Sequence, residues 1–207
     1  VDGRLKWIVD GYTTLESLPY SQRASLSDAT QDTLNPDGTT QRLVNDKVGY
    51  IRNSVKATVD AYDGSVDLYE FDKNDPVLKA WQGVFPDVVK PEAEISDELR
   101  QHFRYPEDMF KVQRDLLARY HVDDPNVFFN NDAFWSVPND PTAEESRQLN
   151  QPPYYVMAAD PKTGKPTFQL TTSYRGLNRE FLSAHMAVSS DPENYGDITV
   201  RVLPTNT

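Results

Sequence analysis

Acidic side chains dominate the chemistry open to this chain: 32 Asp and Glu stand against 21 Lys and Arg, three histidines and no cysteine. Without thiols, disulfide scaffolds, cysteine-ligated zinc, iron–sulfur clusters and cysteine nucleophiles are all excluded. His102, His121 and His185 lack any HExxH-like spacing that would bring them to one metal. No GxSxG, Walker A or dinucleotide fingerprint occurs. Two acidic groups remain. Glu107-Asp108, beside Tyr105 and near His102, is the tempting pair for carboxylate catalysis. Acidic residues also belong in a first helical turn, and adjacent helical positions point in different directions, which suits a dyad poorly. Asp123 and Asp124, with Asn130 and Asp132, supply the hard oxygen ligands calcium takes, but without EF-hand spacing. Asp and Asn near proline are also common turn formers. Those four are the candidate calcium ligands; no catalytic residue and no cofactor is assigned.

The elements that must position these groups are those of one α+β domain spanning residues 1–207. A net charge of −11 excludes a general nucleic-acid binder, which needs a basic surface. No run approaches the roughly 18 apolar residues of a membrane span, and no signal-peptide pattern is present. The start at Val1-Asp2-Gly3, without methionine, reads as an excised or processed piece.

Leu5 to Tyr12 reads as a strand, dense in aromatic and branched residues. Residues 21–46 are polar, with a turn signal at Asn35-Pro36-Asp37-Gly38, and are expected to form a mobile loop. Val55 to Asp72 alternates on both sides of Asp63-Gly64, predicting a hairpin closed by a type I′ turn, with its apolar side in the core. Asp75-Pro76 opens a helix to Phe85, and Ser96 caps a second to Phe103. The third, from Pro106 to His121, carries a stripe of Met109, Val112, Leu116 and Tyr120, widened by Phe110 and Leu117. A subdivision is expected near 123–153, with a helical turn at Ala143 to Leu149. Tyr154 to Ala159 and Thr167 to Ser173 form a second hairpin, Asn178 to Val188 reads as a helix, and Asp197 to Leu203 as a final strand. Hairpins with helices grouped between them predict α+β with an antiparallel sheet.

Eleven tyrosines and three tryptophans exceed what a minimal core needs, and several lie beside prolines or in loops. Tyr20, Tyr105, Trp135, Tyr154 and Tyr155 are the candidate interaction residues, able to form an aromatic patch for a partner protein or glycan.

Several stretches carry a specific resemblance: Trp7-Ile8-Val9-Asp10-Gly11-Tyr12-Thr13-Thr14, Tyr50-Ile51-Arg52-Asn53-Ser54-Val55-Lys56-Ala57, Val59-Asp60-Ala61-Tyr62-Asp63-Gly64 and Arg104-Tyr105-Pro106-Glu107-Asp108-Met109-Phe110. With Val127-Phe128-Phe129-Asn130 and Tyr154-Tyr155-Val156-Met157, the chain resembles uncharacterised protein family 0182 (UPF0182), large multi-pass membrane proteins of actinobacteria. The resemblance implies transmembrane helices upstream and a large region on the outer side of the membrane, of which this chain is similar to the first part. It transfers no activity and no catalytic residues. Val55 to Asp72 separately resembles the strand–turn–strand of PepSY-type extracytoplasmic modules. The expected function is a non-enzymatic binding module of the cell envelope, at the membrane through upstream helices, docking an envelope or membrane protein and no nucleic acid. Two alternatives stay open: a carboxylate-based hydrolase acting on envelope glycan or peptide, and a calcium-responsive acidic module.

Overall fold

The structure is a computed structural model that describes residues 1–34, 39–44, 46–143, 149–160 and 163–204. The first half of the chain runs β1 (Lys6–Leu15), β2 (Ala24–Ser25), α1 (Leu26–Thr30), β3 (Thr33–Leu34), β4 (Thr40–Gln41), β5 (Lys47–Val48), β6 (Tyr50–Asp60) and β7 (Val66–Glu70). Then come α2 (Pro76–Val84), β8 (Val89–Lys90), a 3-10 turn at Glu92–Glu94, α3 (Asp97–Gln101), α4 (Glu107–Tyr120) and α5 (Pro125–Asn130). The second half closes with β9 (Trp135–Ser136), β10 (Tyr154–Ala159), β11 (Pro166–Gly176), β12 (Leu182–Ser189) and β13 (Ile198–Val202). This is an α+β chain built on antiparallel sheets, as its hairpin pattern predicts. It separates into two compact units: Val1–Ser25 with Asn45–Pro106, and Leu26–Val44 with Glu107–Thr207.

In the first unit the sheet order is β1-β6-β7-β8, antiparallel except for the short β7–β8 pair. β6 and β7 form the expected hairpin, but its loop differs from the two-residue type I′ turn. Asp60 N donates to Ser65 O and Gly64 N to Asp60 O, leaving four residues, 61–64, outside the ladder. Only Gly64 among them adopts a left-handed backbone, at φ 72°. Asp63 instead accepts from Ser65 N at 2.9 Å, so its side chain builds the turn in place of a positive φ. Asp75 accepts from Val77 N as the N-cap of α2, and Ser96 from Leu99 N as that of α3. Leu78, Ile95, Leu99 and Phe103 are buried on the helical side.

In the second unit, β10-β11-β12-β13 form one antiparallel sheet, with β9 pairing the far end of β11. Leu170, Tyr174, Ala184, Met186 and Val188 make its dry face, each at most 1% exposed. Tyr174 ties that face to α4, its hydroxyl donating to Arg114 O at 3.0 Å. Most of the stretch expected as helix, Asn178 to Val188, is instead part of β12 (Leu182–Ser189). The four-residue steps Leu182/Met186 and Ala184/Val188 mimic helical spacing, but ladders to both β11 and β13 fix them in a central strand. The polar segment 21–46 contributes β2, α1, β3 and β4 among its described residues. Most of the turn expected at Ala143 to Leu149 lies outside the described residues, as does Asn35-Pro36-Asp37-Gly38; Asn139 and Asn150 flank the former as an isolated bridge.

Candidate functional site

The hairpin's apolar side is only partly covered, and its polar side is buried. On β6 the buried residues are Ser54, Lys56, Thr58 and Asp60. Cross-strand pairs share a face, so Ile8↔Thr58 and Asp10↔Lys56 lie on the buried side, and Trp7↔Val59, Val9↔Ala57, Val59↔Val66 and Ala57↔Leu68 on the other. That outer face is apolar from Val66 to Leu68 on β7 and across its β6 and β1 partners, and ends at Glu70, which pairs with Val55. Trp7 is 67% exposed, Val9 51% and Val66 58%, with Leu5 beyond them at 65%. Gly11 completes it: a Cβ there would meet Val55 Cβ at 3.1 Å, closer than an ordinary contact, so glycine eases the close approach of β1 to β6.

Specific partners make the polar side tolerable in a core. Lys56 is fully buried; its ammonium pairs with Asp10 and lies over the rings of Phe71 (4.8 Å) and Phe103 (5.5 Å). Burial lowers the Lys56 pKa, and the Asp10 charge opposes that. Asp60 is held to about 2 by its hydrogen bond with Arg4, whose Nε lies 2.6 Å away. The β1–β6 register shifts between Gly11 and Thr13, and past the shift Thr13 and Ser54 both donate to Asp75 at 2.5 Å. Tyr50 donates to the same carboxylate at 2.6 Å. Burial opposes ionisation of Asp75, yet these bonds and that from Val77 N outweigh it and hold the group at about 2. Burial and the Asp75 bond push the Tyr50 hydroxyl up to about 12.

The second unit holds an ionic centre. The stripe predicted for α4 is only partly buried: Leu116 and Tyr120 are about half exposed, while Lys111 and Arg114 are each 1% exposed. Asp32, next to α1, is the reason. Its two oxygens take Lys111 Nζ at 2.7 Å and Arg114 Nη2 at 2.5 Å, and Glu107 adds a 2.7 Å pair to Lys111. Two cations thus meet two carboxylates, and the balanced charge lets the cluster lie inside. A polar cavity of about 250 Å³ opens beside it, lined by Asp28, Ala29, Gln31, Asp32, Arg114, Asp115, Leu149 and Asn150. Arg114 Nε has no hydrogen-bond partner, and Asp115 lies 4.0 Å from it. Desolvation beside the cavity raises the Asp115 carboxyl to about 6, Asp32 adds to the rise, and Arg114 opposes it.

The predicted site residues do not converge. Asp124 accepts from Asn126 N and Val127 N as the N-cap of α5, Asn130 ends that helix, and Asn131 follows at φ 60°. Asp123 and Asp124 thus stand at one end of a six-residue helix and Asn130 and Asp132 at the other, roughly 9 Å apart along its axis. Among the described residues no three His, Cys, Asp or Glu are grouped to hold a metal. Of the aromatic candidates, Tyr20 is fully exposed at φ 62°, and Tyr105, 9% exposed, is a core residue. Trp135 stacks on His121 at 3.5 Å, and Tyr155 on Phe168 at 5.6 Å; Tyr154 is about half exposed on the same strand. Trp7, Val9 and Val66 were missed because alternation shows that two faces differ, not which is covered. The signal was present in Lys6, Asp10, Lys56 and Asp60, opposite charges facing one another across β1 and β6.

Fold and face together define an α+β chain of antiparallel sheets with one apolar sheet face only partly covered. Among the described residues no helix is long and apolar enough to cross a membrane. The profile of the Uncharacterised protein family (UPF0182) matches residues 1–207, and the chain belongs to that family. It is 74% identical over its whole length to a UPF0182 protein of Corynebacterium glutamicum strain R, covering 21% of that relative. Identity is 71% to the UPF0182 protein of Corynebacterium diphtheriae and 62% to that of Nocardia farcinica, in each case over all of this chain and 21% of the relative. The chain therefore spans about a fifth of the length of these relatives. No solved structure matches it.

Proposed function

We propose that this chain is a non-enzymatic interaction module on the extracytoplasmic side of a multi-pass membrane protein of the cell envelope, its first sheet docking a further protein surface, either of an envelope partner or of the rest of the same membrane protein. The observation that carries the reading is the open face of Trp7, Val9 and Val66, an apolar surface on an otherwise acidic chain. Partner burial of such a face is favourable by about 25 cal/mol per Å² of apolar surface covered. The absence of cysteine provides the test. Asp63→Cys in the full-length protein, with any cysteines elsewhere replaced, places one thiol on the exposed hairpin loop. A membrane-impermeant maleimide should label it in intact cells; labelling only after lysis would refute the extracytoplasmic placement.

A second reading, a carboxylate-based hydrolase of envelope glycan or peptide, draws on Asp115, whose raised pKa lies beside Asp28 and Asp32 in the cavity. It requires that the protein cleave cell-wall glycan or peptide and that Asp115→Asn abolish the cleavage. Asp32 is already committed to Lys111 and Arg114, which favours the interaction reading.

A further inference from the structure

We propose that the open face of the β1-β6-β7 sheet is the seat of another part of the same polypeptide, from the four-fifths of the family's length that lies outside these 207 residues. The inference rests on the docking role proposed above and names the occupant. Three observations lead to it. First, the sheet is apolar on the side that helices do not cover, with Trp7, Val9, Val59 and Val66 on neighbouring strands. A sheet with helices on one side and a second apolar face is the middle layer of a three-layer arrangement. Second, the face runs onto β1, an edge strand of ten residues, so an incoming segment can reach its apolar side chains from beyond the sheet. Third, the relatives supply the material: each is about five times as long as the region matched here.

Charge argues against the other occupants. A second copy would bring another −11 to the assembly, and an anionic lipid surface would meet the same repulsion. A covalently attached segment docks at high effective concentration and needs no electrostatic attraction to arrive.

The test uses the full-length protein in native membranes, with one thiol at Val9→Cys or, for comparison, at Asp63→Cys. Maleimide should label the Val9→Cys protein roughly tenfold or more slowly than the Asp63→Cys protein, as for a site reached only by local opening. The protection should survive detergent extraction and purification to a single polypeptide, and denaturant should abolish it. Equal rates at the two positions would overturn the proposal. So would protection lost in detergent, which indicates lipid, or lost on purification, which indicates a separate protein. A Val9–Val9 disulfide-linked dimer formed from the Val9→Cys protein on mild oxidation would assign the face to a second copy instead. Failure of Asp63→Cys to label in intact cells refutes only the cellular placement, because the comparison of rates is made in opened membranes.

Discussion

Removing the Asp32 carboxylate breaks up the ionic centre of the second unit. Asp32→Asn removes the carboxylate shared by buried Lys111 and Arg114, and is expected to cost about 3–5 kcal/mol in urea unfolding. A loss below about 1 kcal/mol would mean the cluster is wetter than its burial indicates. Two other carboxylates set opposite pH dependences. Asp75, held near 2 against an ordinary 3.8, contributes stability that is present above pH 3.8 and lost as pH falls through about 2. Asp115, raised to about 6, works the other way: its contribution is complete below pH 3.8 and lost as pH rises through about 6. Its side chain is half exposed, so screening by water mutes the effect. The stability of Asp115→Asn should therefore fall less than that of the native chain between pH 4 and 7, measured by urea midpoints; parallel profiles would contradict the assignment.

At the scale of elements, the inverted β6 hairpin is the departure that matters. Lys56→Met is expected to leave stability unchanged or raise it, since an apolar chain replaces a buried cation among Phe71 and Phe103. Asp10→Ala, which strands Lys56, should cost on the order of 2 kcal/mol in the same denaturation assay. Gly64→Ala places a Cβ at φ 72° and should cost about 1 kcal/mol although nothing crowds it. The Asp75-Pro76 helix, the Ser96 cap, the α4 boundaries and both hairpins were legible because each rests on contacts a few residues apart. The same Asp-Pro signature at Asp124-Pro125 opens α5 and was read only as a turn. The α4 stripe was misassigned at Leu116 and Tyr120 because Asp32, 82 residues from Arg114, decides which side of the helix is covered. The open sheet face was illegible for a related reason: what covers a face is not written in the strand.

On the scale of the whole chain, neither unit is a single stretch. The second unit takes Leu26–Val44 from the middle of the first, and with it the aspartate that neutralises Lys111 and Arg114. Residues 107–207 expressed alone should therefore show no cooperative thermal transition by circular dichroism, whereas the 207-residue chain should melt cooperatively. A sharp melt of the shorter piece would show that the ionic centre is dispensable.

The interleaving also imposes a timetable. A chain made from its amino end exposes Asp32 well before Arg114 exists. At ~5–20 residues per second, the interval is about 4–16 s. The second sheet, beginning at Tyr154, emerges later still. The first unit is complete in sequence at Pro106 and can close while its neighbour is still only a helix and a turn awaiting their counter-ions. Birth order thus gives the nascent polypeptide one finished surface early. That surface is the first sheet, with Trp7, Val9 and Val66 already exposed on it while the second unit is still being made.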